Sequence, residues 1–173
     1  MRDVTRGLNP SFLLAKNPMI TEQQVIQHIE SYIADTPLFL VDLKMGADRR
    51  VGVFIGSDVG ATVKDCSLLN RHLNEALDND SNDFELVVST PGVGEPLKVK
   101  RQYFANVGRN VKLKLTEGKS LEGELVEATE NGVVVKTRVK ERIEGRKSKQ
   151  WVEENHEIDF NAIAETKVLV SFK

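Results

Sequence analysis

The spacing of apolar residues changes period along the chain, and the changes mark out its elements. After Thr21, the residues Val25, Ile29, Tyr32 and Ile33 recur at helical spacing. Thr21 followed by Gln24 reads as a capping box, which gives that helix a start. Pro37 gives it an end, because a residue before proline is pushed out of the helical region. Residues 38–45 then read as a strand and 51–55 as its hairpin partner, with Gly46, Ala47 and Asp48 supplying the turn. Thr62 with Asp65 caps a second helix, whose buried stripe should be Cys66, Leu69, Leu73, Ala76 and Leu77. A polar loop from Asp78 to Asp83 follows, and 84–88 is a third strand. The order α-β-β-α-β suits a small α/β layer domain, with two helices over one face of a three-stranded sheet.

Residues 89–97 break this pattern. Pro91, Gly92, Gly94 and Pro96 fall within nine residues, which neither continues a strand nor fills a helix interior. The prolines restrict the backbone, the glycines permit positive φ, and together they predict a junction of fixed angle. A short helix should follow, with Val99, Tyr103, Phe104 and Val107 on one side and Gly108 as terminator. Beyond it the period is two. Val111, Leu113 and Leu115 alternate with Lys112 and Lys114; Glu117 and Gly118 turn the chain; Leu121 and Leu125 belong to the next strand. Asn131-Gly132 is a strong hairpin signal before a strand at 133–139. A charged loop reaches to about 150, a fourth strand covers 151–160, Asn161 to Ile163 make a tight turn, and 167–172 is a fifth strand. Five short strands of this kind match an SH3-like or Sm-like barrel, whose closure removes exposed edges.

The expected organisation is therefore α+β in two domains. A loose arm covers 1–18, where Met19 is an alternative start; the α/β domain covers 19–93; linker and short helix cover 94–109; the barrel covers 110–173.

Composition adds three constraints. Of 173 residues, 40% are hydrophobic and 29% charged, enough apolar material for a packed core. A single cysteine, Cys66, makes no internal disulfide, and no apolar run is long enough to span a membrane, so cytoplasm is expected. Only 6% of residues are aromatic, which leaves few platforms for stacking single-stranded bases. The net charge of −2 excludes a polycation that coats nucleic acid. It also conceals a split. Residues 1–93 carry 8 basic and 13 acidic groups, whereas 94–173 carry 16 basic and 13 acidic, so the sign changes at the junction.

No motif for catalysis or a cofactor survives inspection. Gly118-Lys119-Ser120 looks like the end of a phosphate loop, but Leu113 stands where its first glycine should be, and a hairpin turn is the better reading. The loop Asp78–Asp83 lacks the glycine and glutamate of a calcium-binding loop. Gly92-Val93-Gly94 has Leu97 where a dinucleotide fingerprint needs its third glycine. Cys66 and His72 lie about 120° apart on one helix, so the cysteine reads as core. No cofactor, metal or small-molecule substrate is expected, and the chain is expected to be a monomer.

Two basic clusters remain. Residues 98–114 contain Lys98, Lys100, Arg101, Arg109, Lys112 and Lys114 with no acid among them. Residues 136–149 contain Lys136, Arg138, Lys140, Arg142, Arg146, Lys147 and Lys149 against Glu141 and Glu144. Lysines and arginines in such strands and loops are placed as phosphate contacts would be. The plain alternative is a solvated face.

The junction Ser89-Thr90-Pro91-Gly92-Val93-Gly94-Glu95-Pro96-Leu97-Lys98, with Gln102-Tyr103-Phe104 and Gly108-Arg109-Asn110-Val111 after it, resembles the ribosome maturation factor RimP family. Phe39-Leu40-Val41-Asp42 and the pattern of Ile158, Phe160, Ile163 and Val168 also resemble it. The likeness covers about 19–173. It implies a KH-like N-terminal domain, a C-terminal SH3-like barrel, and a non-enzymatic factor for assembly of the small (30S) ribosomal subunit, acting near 16S rRNA and a small-subunit ribosomal protein. Family members carry Asp-Arg before the second proline where this chain has Gly94-Glu95, so a role of that arginine does not transfer. The competing readings are a general RNA-binding adaptor built on the barrel, and an enzyme with an unrecognised pocket.

Overall fold

The computed structural model describes residues 20–77, 84–142 and 149–170. The expected arm, the start at Met19, the loop at 78–83, and Arg146 and Lys147 lie outside the described residues.

The first unit follows the expected order. Helix α1 (Glu22–Ile33) opens on its capping box: Thr21 Oγ1 accepts from the Gln24 N–H at 3.3 Å, and Gln24 Oε1 accepts from the Thr21 N–H at 3.0 Å. Strands β1 (Leu38–Met45) and β2 (Arg50–Ser57) form an antiparallel hairpin. Helix α2 (Val63–Ala76) is capped by Thr62 and Asp65 in the same reciprocal way. Strand β3 (Glu85–Ser89) lies parallel to β2, giving the sheet order β1-β2-β3. Val25, Ile29, Val53, Ile55, Leu69 and Leu73 are fully buried between helices and sheet. Ala76, expected in the buried stripe of α2, is exposed; it falls at the edge of the stripe, in the last turn.

A bulge in β1 decides which face the junction meets. Leu40 pairs with Ile55 and Asp42 with Phe54, so Val41 is the extra residue. Leu38 and Leu40 point to the helices before the bulge, and Leu43 does so after it. The extra residue thus changes the alternation from even to odd, and puts Phe39, Val41 and Asp42 on the face away from the helices.

The second unit begins with α3 (Lys100–Ala105). Its first turn is satisfied from within. Gln102 is buried, and its Oε1 accepts from the N–H of Lys98 at 2.7 Å and of Val99 at 3.1 Å. Tyr103 is buried, but Phe104 and Val107 are exposed, against expectation. The helix is six residues long and offers its neighbours one narrow face, taken by Gln102 and Tyr103.

Five strands complete the unit: β4 (Asn110–Leu115), β5 (Ser120–Ala128), β6 (Gly132–Arg142), β7 (Lys149–Asp159) and β8 (Ile163–Val168). All neighbours are antiparallel, in the order β7-β6-β5-β4-β8. The last strand corrects the expected range of 167–172. A 3-10 turn at Phe160–Ala162 feeds it directly, and it pairs with β4 from Ile163 opposite Leu115 to Val168 opposite Val111. Its buried residue is a threonine, Thr166, so the pattern there looked polar and the more apolar stretch after it drew the expectation. Val111, Leu113, Leu125 and Val135 are fully buried, with Leu97, Tyr103 and Phe160 packed beside them. This core shares no residue with the first.

Candidate functional site: an inter-unit latch and a basic ribbon

The junction is a built turn. Gly92 accepts from the Glu95 N–H at 3.1 Å, and Gly94, third of the four residues, has φ +81°. Positive φ at that position is what a type II turn requires and what a glycine permits. Of the two junction glycines, Gly94 takes this conformation and Gly92 does not. Pro96 then bridges to Lys167, and the Leu97 N–H donates to the Thr166 carbonyl at 2.8 Å. Pro96 and Leu97 therefore run along β8, and Leu97 packs against the second core.

Two cations of the first basic cluster reach back across the junction. Lys98 Nζ pairs with Asp42, the residue that the β1 bulge turned toward it. Arg101 grips Asp58 with two bonds, Nε to Oδ1 at 2.9 Å and Nη2 to Oδ2 at 2.5 Å. Its guanidinium also lies over the Phe39 ring, 5.0 Å from the centroid. The hydrogen bond from Lys98 holds the Asp42 carboxyl below the usual range, against a smaller upward push from burial. The hydrogen bonds from Arg101 do the same for Asp58. Beside this latch is a cleft of about 280 Å³ between the open face of the first sheet and the junction, lined by Val41, Phe54, Pro91 and Pro96 among others.

Lys100 is turned inward as well. Its Nζ donates to the Glu130 carbonyl at 2.7 Å and lies 5.3 Å from the Phe160 ring centroid, tying α3 to the β5–β6 turn. Several strand cations meet acids directly opposite them. Lys112 pairs with Glu122 at 2.6 Å, Lys136 with Glu124 at 3.2 Å, and Arg138 with Glu153 at 2.8 Å. Each is a registered cross-strand pair. Lys112 of the first cluster, and Lys136 and Arg138 of the second, are thus paired with acids across the sheet. Arg109 and Lys114 are exposed, and no acid is paired with either among the described residues.

The second cluster has a different setting. Strand β5 pairs with β6 only as far as Lys136, but β7 continues beside β6 out to Arg142 opposite Lys149. Beyond the sheet the two strands form a ribbon. Alternation puts Arg138, Lys140 and Arg142 on one face with Lys149, Trp151 and Glu153. Trp151, the single tryptophan, is 59% exposed, and Lys140 Nζ lies 4.5 Å from its ring centroid. Lys140, Arg142 and Lys149 have no acid paired with them among the described residues.

Gly118-Lys119-Ser120 is the β4–β5 turn: the Gly118 N–H donates to Leu115 and the Leu115 N–H to Lys119. Cys66 is buried in the first core, and burial pushes its thiol up, away from a reactive thiolate. Among the described residues, no three His, Cys, Asp or Glu side chains are grouped to hold a metal ion, and no helix is long and apolar enough to cross a membrane.

Sequence reading missed Phe39, Asp42 and Asp58 as partners of the cluster, and Trp151 as part of the ribbon. The latch could not be read from spacing, because its halves lie 43 and 56 residues apart. Trp151 had a signal: with the β6–β7 hairpin registered, it falls on the lysine face.

Comparison with known proteins bears on most of the chain. Residues 28–94 match the RimP N-terminal domain family. The Ribosome maturation factor RimP of Flavobacterium psychrophilum is 32% identical over 155 residues, covering 89% of this chain and all of that protein. The protein of the same name from Christiangramia forsetii is 32% identical over 78% of this chain and 88% of its own length. That from Cytophaga hutchinsonii is 28% identical over 84% and 96%. The chain belongs to the ribosome maturation factor RimP family.

Proposed function

We propose that the protein is a non-catalytic maturation factor of the small ribosomal subunit, acting in the cytoplasm as a monomer on 16S rRNA and a small-subunit ribosomal protein. The observation that carries this reading is the 32% identity to a ribosome maturation factor along that relative's entire length. In this reading, 19–93 is a KH-like domain and 110–173 an SH3-like barrel, with 94–109 as linker and short helix. Five antiparallel strands over one buried core, with Pro96 bridged to β8, support the barrel form.

In this reading the parts have distinct roles. Lys98 and Arg101 hold the two units at one angle, so that binding incurs less ordering cost than for a loosely linked pair. Lys140, Arg142 and Lys149, with Arg146 and Lys147 between them in sequence, meet rRNA phosphate. Arg109 and Lys114 are secondary contacts. The acidic N-terminal half steers a basic ribosomal protein. A general RNA-binding adaptor is the weaker reading, because Lys112, Lys136 and Arg138 already face acids on the sheet.

Gradient sedimentation with purified subunits tests the proposal. The protein should travel with immature small subunits and far less with complete ribosomes. Equal association with both, or with neither, would remove the reading.

A further inference from the structure

The ribbon carries more than charge. A phosphate-binding surface needs cations alone, and lysines on a flat strand pair provide them. This face also presents the single tryptophan, 59% exposed, in register between charged neighbours. An indole left 59% exposed forgoes much of the burial that large aromatics ordinarily supply. Lys140, the residue opposite it, sits 4.5 Å from its centroid, and Arg142 and Lys149 form the next registered pair outward. The arrangement is an aromatic plane bordered by cations on one side of a two-stranded ribbon.

We infer that Trp151 is a stacking platform for an unpaired base of single-stranded RNA, whose flanking phosphates lie on Lys140, Arg142 and Lys149. Charge complementarity selects the occupant: this face repels a basic protein and attracts a polyanion. The tryptophan then discriminates among polyanions, because a base in a single strand exposes a π-face and a base within a duplex does not. A ribbon that projects beyond its sheet can enter a loop or bulge, where RNA offers splayed bases. The inference deepens the proposed contact with rRNA and rests on it.

Tryptophan emission reports the event directly, since the chain has one tryptophan. The full chain is titrated with a 12-nucleotide single-stranded RNA, with the same strand annealed to its complement, and with poly-glutamate. The single strand should quench the emission strongly, the duplex and the polypeptide weakly. Trp151→Leu should bind the single strand about tenfold more weakly by anisotropy of a labelled RNA, within the range that one base–aromatic stack supplies, and Trp151→Phe should recover most of the loss. Because the side chain is exposed, both variants should melt as the parent does. Should Trp151→Leu fail to fold, the parent's quenching and Trp151→Phe carry the test.

Arg142→Gln with Lys149→Gln should leave the quenching at saturation intact, but lower the slope of log affinity against log salt by about 1.4. Unchanged affinity in Trp151→Leu, or equal quenching by duplex or poly-glutamate, would overturn the inference. Sedimentation of the parent protein with immature small subunits separates the two levels. If it persists while the stacking result fails, only the platform is lost; if it is absent, the ribosomal reading falls first.

Discussion

Arg101 and Lys140 are cations 39 positions apart in the second half of one chain, and they face opposite circumstances. Arg101 sits where a second folded unit comes close, and it meets Asp58 and Phe39. Lys140 sits where the sheet has run out, and it meets Trp151 and solvent. Along the sequence both belong to basic runs, six cations in 17 residues for the first and seven in 14 for the second. Topology separates them: the junction folds the first run onto an acidic neighbour, whereas the β6–β7 hairpin carries Lys140 and Arg142 beyond Glu153, the last acid paired with the second run among the described residues. The lesson is that a basic cluster has to be counted against the acids placed opposite it in space. By that count the latch is spent within the molecule and the ribbon is available to a partner.

The largest effect should come from removing the frame beneath the ribbon. Leu125 is fully buried in the second core, and Leu125→Ala should cost about 2–5 kcal/mol. Hydrogen exchange should show lost protection on β4 to β6, with the α1–β3 unit kept, because the two cores share no residue. Equal loss in both units would mean that they fold as one and that the comparison is drawn too sharply.

Next in size, Lys140→Gln, Arg142→Gln and Lys149→Gln together should weaken association with a single-stranded RNA, and reduce its salt slope by about 2. Thermal stability should hardly change, since these side chains are exposed. The matching change at the latch, Arg101→Gln, should do the reverse. It should cost about 1 kcal/mol or less of stability, as exposed ion pairs do, and broaden the distance distribution in small-angle scattering while leaving the salt slope nearly unaltered. A salt slope that falls equally in both variants would erase the distinction between them.

The smallest effect is in pH. The carboxyls of Asp42 and Asp58 are held below their ordinary range by Lys98 and Arg101. A carboxyl depressed in the folded state contributes stability above its unfolded value and loses it as pH falls through the folded value. The latch should therefore be intact at neutral pH and open only on acidification past the usual carboxylate range. Scattering that loosens near neutrality would assign the opening to other groups.

Much of the framework was legible beforehand. Both capping boxes, the strand at 38–45 and the turn at 117–118 each follow from local chemistry, and the structure has them. Strand β8 was misplaced because its core residue is Thr166 rather than an apolar one. The bulge at Val41 left no mark in the pattern, yet it aims Asp42 at Lys98. The site was legible as two basic runs and as the Pro-Gly turn between the units, but not as a latch or a ribbon. Their different settings depend on residues far away in sequence, and on where β5 stops pairing with β6.

The central claim is tested most directly by sedimenting the protein with immature and complete small subunits, in parallel with the Lys140, Arg142 and Lys149 triple variant and with Arg101→Gln. The account predicts that the parent binds the immature particle preferentially, that the triple variant is largely released, and that Arg101→Gln is retained for the most part. Full binding by the triple variant, or binding by the parent that does not distinguish immature from complete subunits, would contradict it.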